Sequence, residues 1–279
     1  MLQRPFRDPA FRLSLLVALI VASGLGAIAC GAGKRSGSRG NRTREKVILA
    51  DRLIQAENYE EASRTLAEAL RSAPDDPEIH YYLGICHFYR GEYPEAERSL
   101  KEALGLNKRN PDAHNALGLV YSRTGERTRA LEEYRLALSD PLYQSAEKTY
   151  LNMAICLDEM GRTDEAITSL RQAVERDPKY YAAHWELAKL LDRQDHTREA
   201  IEEYEVAAPQ FAADPNYHYR LGLAYFREHR TDRAREHLTK VIATLPGTEK
   251  ALRAKEYLEL IDDAPPDSPP GTGGGSRRP

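Results

Sequence analysis

The sequence predicts an all-α fold: a right-handed α-solenoid of six helix-pair repeats closed by a C-terminal capping helix. Three observations carry this. An alanine returns at Ala62, Ala96, Ala130, Ala166, Ala200 and Ala234, at intervals of 34, 34, 36, 34 and 34 residues. A large apolar residue follows each alanine by four positions, and in the second and third copies a small residue follows that by three, as Leu100 with Ala103 and Tyr134 with Ala137. Leu83-Gly84, Leu117-Gly118, Leu187-Ala188 and Leu221-Gly222 each begin thirteen residues ahead of their alanine. Spacings of three and four put such residues on one helix face. A unit of this length is one helix pair, which hides its apolar face only by stacking on its neighbours.

The first element is an export signal. Arg4, Arg7 and Arg12 precede an uncharged stretch from Leu13 to Ala29 containing LSLLVALIVA. That stretch is too short, and too rich in Gly and Ala toward its end, for a comfortable membrane span. It closes in Ala27-Ile28-Ala29-Cys30, which resembles the lipobox of bacterial lipoproteins; the alternative is an ordinary cleaved signal with an incidental cysteine. The resemblance implies that residues 1–29 are a lipoprotein signal peptide and that Cys30 is lipidated as the mature N-terminus. Gly31 in place of aspartate then implies sorting to the outer membrane, on its periplasmic face. A triacylated cysteine carries more than one chain, which suffices for stable anchoring. GAGKRSGSRGNRTR follows, with Lys34, Arg35, Arg39, Arg42 and Arg44, so residues 30–45 read as the lipidated cysteine and a flexible basic tether.

The repeats and capping helix occupy residues 46–262. Asp76-Pro77, Asn110-Pro111 and Asp214-Pro215 each offer an N-cap acceptor and a proline at the first helical position, where its missing N–H costs nothing. Gly84, Ala96 and Ala103 are small because two helices of one repeat cross closely there. Gly91, Gly125 and Gly161 mark turns inside the second to fourth repeats, with Asp195 and His229 at the equivalent places later. Thr248 to Asp262 reads as the capping helix, with Ala251, Ala254, Tyr257 and Leu258 inward. Residues 263–279, mostly Pro, Gly and Ser, cannot bury enough apolar surface to fold and read as a disordered tail. Pattern and period together resemble the tetratricopeptide repeat.

Charge and chemistry narrow the function classes. Residues 1–30 carry +2, residues 31–44 carry +5 and residues 263–279 carry none, so the overall −3 leaves −10 on the folded body. An acidic body argues against nucleic acid, while the basic tether suits lipid headgroups. Cys86 and Cys156 sit at one repeat position, 70 residues apart, and read as small buried residues and not as a disulfide. His80, His114, His184 and His218 also share one repeat position. Recurrence favours a structural role over a metal site, whose ligands must converge on one point. No phosphate loop, nucleophile elbow or paired-histidine motif is present. The chain therefore reads as a binding protein, not an enzyme, with no cofactor, metal or small-molecule substrate.

Residues one place beyond the packing positions form a stripe expected to face inward along the solenoid. They are Tyr81, Ile85 and Phe88, then Asn115, Leu119 and Ser122, then Leu151 and Ile155, then Trp185, and finally Tyr219, Leu223 and Phe226, with Tyr89 beside the first cluster. Aromatic side chains dominate interface energetics, so the stripe suits an extended or helical segment of a protein partner. The same residues also suit packing against the neighbouring helix.

Two extra residues enter between the third and fourth repeats, in LSDPLYQSAEKTYLNMAICLDEMGRTDEA, which holds Asp140-Pro141-Leu142-Tyr143, Asn152 and Cys156. Together with the lipobox, tether and six repeats, this stretch resembles the type IV pilus biogenesis lipoproteins of the PilF, PilW and Tgl group. The resemblance implies a pilotin, an outer-membrane-anchored adaptor that binds secretin subunits and promotes their assembly into a ring. A lipid anchor would raise the effective concentration of a partner inserting at the membrane. The alternative within the same class is a periplasmic lipoprotein scaffold for barrel assembly or peptidoglycan hydrolase complexes.

Overall fold

A computed structural model describes residues 36–263. Cys30, the export signal and the tail from residue 264 lie outside them. The described residues form thirteen α-helices and no strand. In chain order these are α1 (Ser36–Gln55), α2 (Tyr59–Leu70), α3 (Pro77–Arg90), α4 (Tyr93–Leu106), α5 (Pro111–Thr124), α6 (Arg127–Leu138), α7 (Ala146–Glu159), α8 (Thr163–Arg176), α9 (Tyr181–Arg193), α10 (Thr197–Phe211), α11 (Pro215–Arg227), α12 (Thr231–Thr244) and α13 (Glu249–Asp263). Six helix pairs and a final helix make the all-α solenoid that the periodicity predicts. The chain divides into two compact units between Ala183 and His184, inside α9.

In the first unit, each helix from α1 to α7 packs on its successor, and first helices of successive pairs also touch: α1 with α3, α3 with α5, α5 with α7. The recurring alanines Ala62, Ala96, Ala130 and Ala166 are fully buried. A methyl group on Gly84 would stand 2.6 Å from Leu100 Cγ, and one on Gly118 would stand 2.5 Å from the Tyr134 ring. Glycine is what lets α3 meet α4, and α5 meet α6, across those large side chains. Helix starts follow the caps expected. Asp76 accepts from Glu78 N–H at 2.9 Å and Asn110 from Ala113 N–H at 3.0 Å.

One boundary differs. α1 begins at Ser36, ten residues before the expected start at residue 46, so the tether is helical from there on. Packing explains this. Thr43, Val47 and Ala50 are buried on one face, and Arg44 reaches Glu78 at 3.4 Å. Gly40 costs such a helix only about 1 kcal/mol.

In the second unit, α10 packs on α11, α11 on α12, and α13 on both α12 and α11. Asp214 caps α11 by accepting from Asn216 N–H at 2.8 Å. Thr248 caps α13, its hydroxyl accepting from Ala251 N–H at 3.3 Å, which shifts that helix one residue from its expected span. Ala251, Ala254 and Ile261 face inward and are buried, while Tyr257 and Leu258 are half-buried.

Both units share one turn geometry. The left-handed residue is Gly91 (φ 79°), Gly125 (86°) and Gly161 (75°), but also Glu57 (58°), Asp195 (62°) and His229 (57°). Stacking imposes the turn even where the sequence lacks glycine.

Candidate functional site

The expected inner stripe of the first unit lies on α3, α5 and α7, and the structure divides it in two. Ile85, Phe88, Asn115, Leu119 and Leu151 are buried, whereas Tyr81, Tyr89, Ser122 and Ile155 keep part of their surface. Two of the buried members, Phe88 and Asn115, meet the next first helix. Asn152 Nδ2 donates to Asn115 Oδ1 at 3.0 Å, tying α7 to α5 with a polar bond between two buried side chains. Such a pair fixes register more than it adds stability.

The aromatic end of the stripe is ordered. Tyr89 stacks on Tyr59 with centroids 4.7 Å apart and 9° between planes, and Phe88 meets Tyr89 edge-on at 5.4 Å. The Arg123 guanidinium lies 5.9 Å from the centre of the Phe88 ring. Tyr81 leans on Tyr82 at 5.2 Å. Burial pushes the Tyr81 phenol well above its usual range, with Asp112 adding to it, and burial likewise raises Tyr89. Both phenols therefore act at neutral pH as hydrogen-bonding groups on apolar rings, a combination that interfaces favour.

A polar floor lies beside Tyr81, which feels Asp112 and Tyr143, and the residue-pattern reading missed it. Thr149 Oγ1 donates to Tyr143 OH at 3.3 Å, and the Tyr143 hydroxyl in turn bonds the Asp112 carboxylate. Burial raises the Asp112 carboxyl, against the Tyr143 bond and the nearby Lys148 charge. Lys148 is itself buried, which pulls its ammonium down, while Glu147 and Asp112 oppose that shift. A signal was available: Asp112 and Lys148 are opposite charges at equivalent positions of adjacent repeats, 36 residues apart.

In the second unit the stripe residues go to packing or stay partly open. Trp185 is buried, stacked on Phe211 at 5.0 Å and tilted against Tyr204 at 5.2 Å. Phe226 is half-buried because Tyr257 of α13 meets it edge-on at 5.1 Å. Tyr219 and Leu223 are half-buried.

The recurring histidines hold the framework. His80, His114 and His218 each bond through Nε2 to a carbonyl six residues back, on Pro74, Lys108 and Ala212, at 2.7, 3.2 and 2.9 Å. His114 Nδ1 also meets Glu133 at 2.7 Å. Cys86 and Cys156 are free and buried, and burial raises the Cys86 thiol to about 11. Among the described residues no group of three or more His, Cys, Asp or Glu is placed to hold a metal. No described helix is long and apolar enough to cross a membrane.

Comparison with known proteins agrees with this architecture. Family models of the tetratricopeptide repeat match residues 49–97, 86–125, 157–224 and 217–248, together more than half of the chain. PilF of Pseudomonas aeruginosa is structurally similar, with a TM-score of 0.73 at 18% identity over 78% of this chain and 99% of that one. PilW, a widely conserved type IV pilus biogenesis factor, follows with a TM-score of 0.67 at 19% identity over 76% and 98%. YrrB, a repeat protein with an unusual peptide-binding site, gives 0.56 at 20% identity over 68% and 97%. No curated protein sequence matches the chain.

Proposed function

The chain belongs to the tetratricopeptide-repeat family, and from that premise we propose that it is a lipid-anchored adaptor of type IV pilus biogenesis, a pilotin that binds secretin subunits and promotes their assembly in the outer membrane. The observation that carries the binding part is the face of α3, α5 and α7. Tyr81 and Tyr89 stay partly open there, with Asp112 and Lys148 near Tyr81 and Asn115 bonded to Asn152 on the same helices. Ordered aromatic rings bury area at low entropic cost, and groups already held in place lose little freedom on binding. The likeness in fold to PilF and PilW and the stretch from Asp140 to Cys156 support the choice of partner.

The anchor part rests on AIAC after the apolar run. Cys30 would hold the binding face at the outer membrane, on its periplasmic side, where a tethered adaptor works at high effective concentration.

Isolation of the full chain from native membranes tests the reading. Secretin subunits should copurify, and metabolic labelling with a fatty-acid analogue should mark the wild type and leave Cys30→Ser unmarked. Recovery of barrel-assembly or peptidoglycan-hydrolase components without secretin would move the function to the scaffold alternative.

A further inference from the structure

The two extra residues ahead of the fourth repeat build an ordered turn. Tyr143 N–H donates to the Asp140 carbonyl at 3.2 Å, and the Asp140 carboxylate accepts from Leu142 N–H at 2.9 Å. Pro141 presets φ at the second position of this β-turn. Tyr143 turns inward to Thr149 and Asp112 and is 6% exposed. With both neighbours fixed, Leu142 points out and is 84% exposed.

A lone exposed leucine needs no explanation, but this one has company. Leu136, 49% exposed, lines a cleft of about 300 Å³ with Pro111, Pro141, Lys108 and Arg109. Leu106, 43% exposed, ends the helix just ahead of that basic pair. The acidic groups at this cleft are engaged: Glu133 bonds His114, and Asp140 holds the turn. The side chains of Lys108 and Arg109 have no ion-pair partner among the described residues. They form a cationic spot on a folded body that carries −10.

We propose that this turn and cleft are a second protein-docking surface, which takes a partner segment bearing an apolar side chain flanked by carboxylates. Leucines on an ordered backbone bury area at little ordering cost. Two unpaired cations select an acidic flank that the rest of the body repels. The proposal goes beyond the α3–α5–α7 face and shares with it only the premise of a protein partner.

Photocrosslinking in the native cells tests it with the full chain. Benzoylphenylalanine is placed at Leu142, at Tyr89 on the α3 face, and at exposed Leu252 on α13 as a control. The Leu142 probe should crosslink to a segment with an apolar residue beside Asp or Glu. Lys108→Glu with Arg109→Glu should cut that yield about tenfold, as like-charge juxtaposition across an interface would, and leave the Tyr89 yield unchanged. A Leu142 yield no higher than that at Leu252 overturns the proposal, as do crosslinks to lipid or to a second copy of the chain. A yield that charge reversal leaves intact overturns the acidic-segment assignment. Crosslinks at Leu142 without any at Tyr89 would sink the α3–α5–α7 reading and leave this surface standing.

Discussion

His218 Nδ1 lies 2.9 Å from His237 Nδ1, at the same nineteen-residue separation that joins His114 to Glu133 and His184 to Glu203. The Ala212 carbonyl can only accept, so His218 donates to it through Nε2. That leaves His218 Nδ1 to accept from His237. A carboxylate facing the histidine welcomes a proton; a second imidazole does not.

The last repeat should therefore weaken in acid. Burial and then the facing His218 lower His237 to about 4, and burial also lowers His218. An unfolded histidine titrates near 6.5, so between about pH 6.5 and 4 the unfolded state binds more protons and stability falls as pH drops, by roughly 2 kcal/mol. His114 has the opposite sign. Burial lowers it, but the Glu133 bond and the Lys108 carbonyl outweigh burial and its pKa is raised. The stability it contributes is full below about pH 6.5 and is lost as pH rises through its folded value. Amide exchange, corrected for intrinsic rates, should show α11 and α12 opening more at pH 5 than at pH 7, relative to α5 and α6. His237→Glu should abolish that difference, and an unchanged difference would contradict the pairing.

The left-handed turns give a second prediction. Glu57, Asp195 and His229 adopt a conformation that glycine reaches freely, and each replacement by glycine should stabilise the chain by about 0.5 to 1 kcal/mol after glycine's own entropy cost. Glu57 should gain most, because Asp and His tolerate the region better than Glu. Urea melts measure this, and a loss of stability in Glu57→Gly would show that its side chain has another role.

Binding and folding should separate on the α3 face. Tyr81→Ala with Tyr89→Ala should weaken partner binding by a few kcal/mol if they are hot spots. Leu83→Ala, at a core position, should cost about 2 to 5 kcal/mol of stability. Parallel circular dichroism melts and binding assays decide. Binding lost only in step with unfolding would make the tyrosines framework.

Much of this was legible because the packing positions recur. Ala96, Leu100 and Ala103 declare helix α4, and Asp76-Pro77 declares where α3 starts. The stripe was harder to read. Period gives the direction of Phe88 and Asn115 but not how closely the next first helix approaches, where Arg123 and Asn152 meet them. Helix α1 is longer than expected because burial of Val47 and Ala50 in the core and the Arg44–Glu78 pair override a Gly- and Ser-rich composition. Register puts Trp185 in the stripe but does not show Phe211 and Tyr204, 26 and 19 positions along the chain, which pack against it.

The central claim, that the chain assembles a secretin, is tested most directly by immunoblotting fractionated membranes for that protein in wild-type cells, a deletion strain and a Cys30→Ser strain. A pilotin predicts secretin monomer without the heat- and detergent-resistant outer-membrane multimer in the deletion, and poor or misplaced multimer with Cys30→Ser, since the adaptor would no longer be concentrated at the membrane. Normal multimer in the deletion strain, with no second such gene to compensate, would contradict the account.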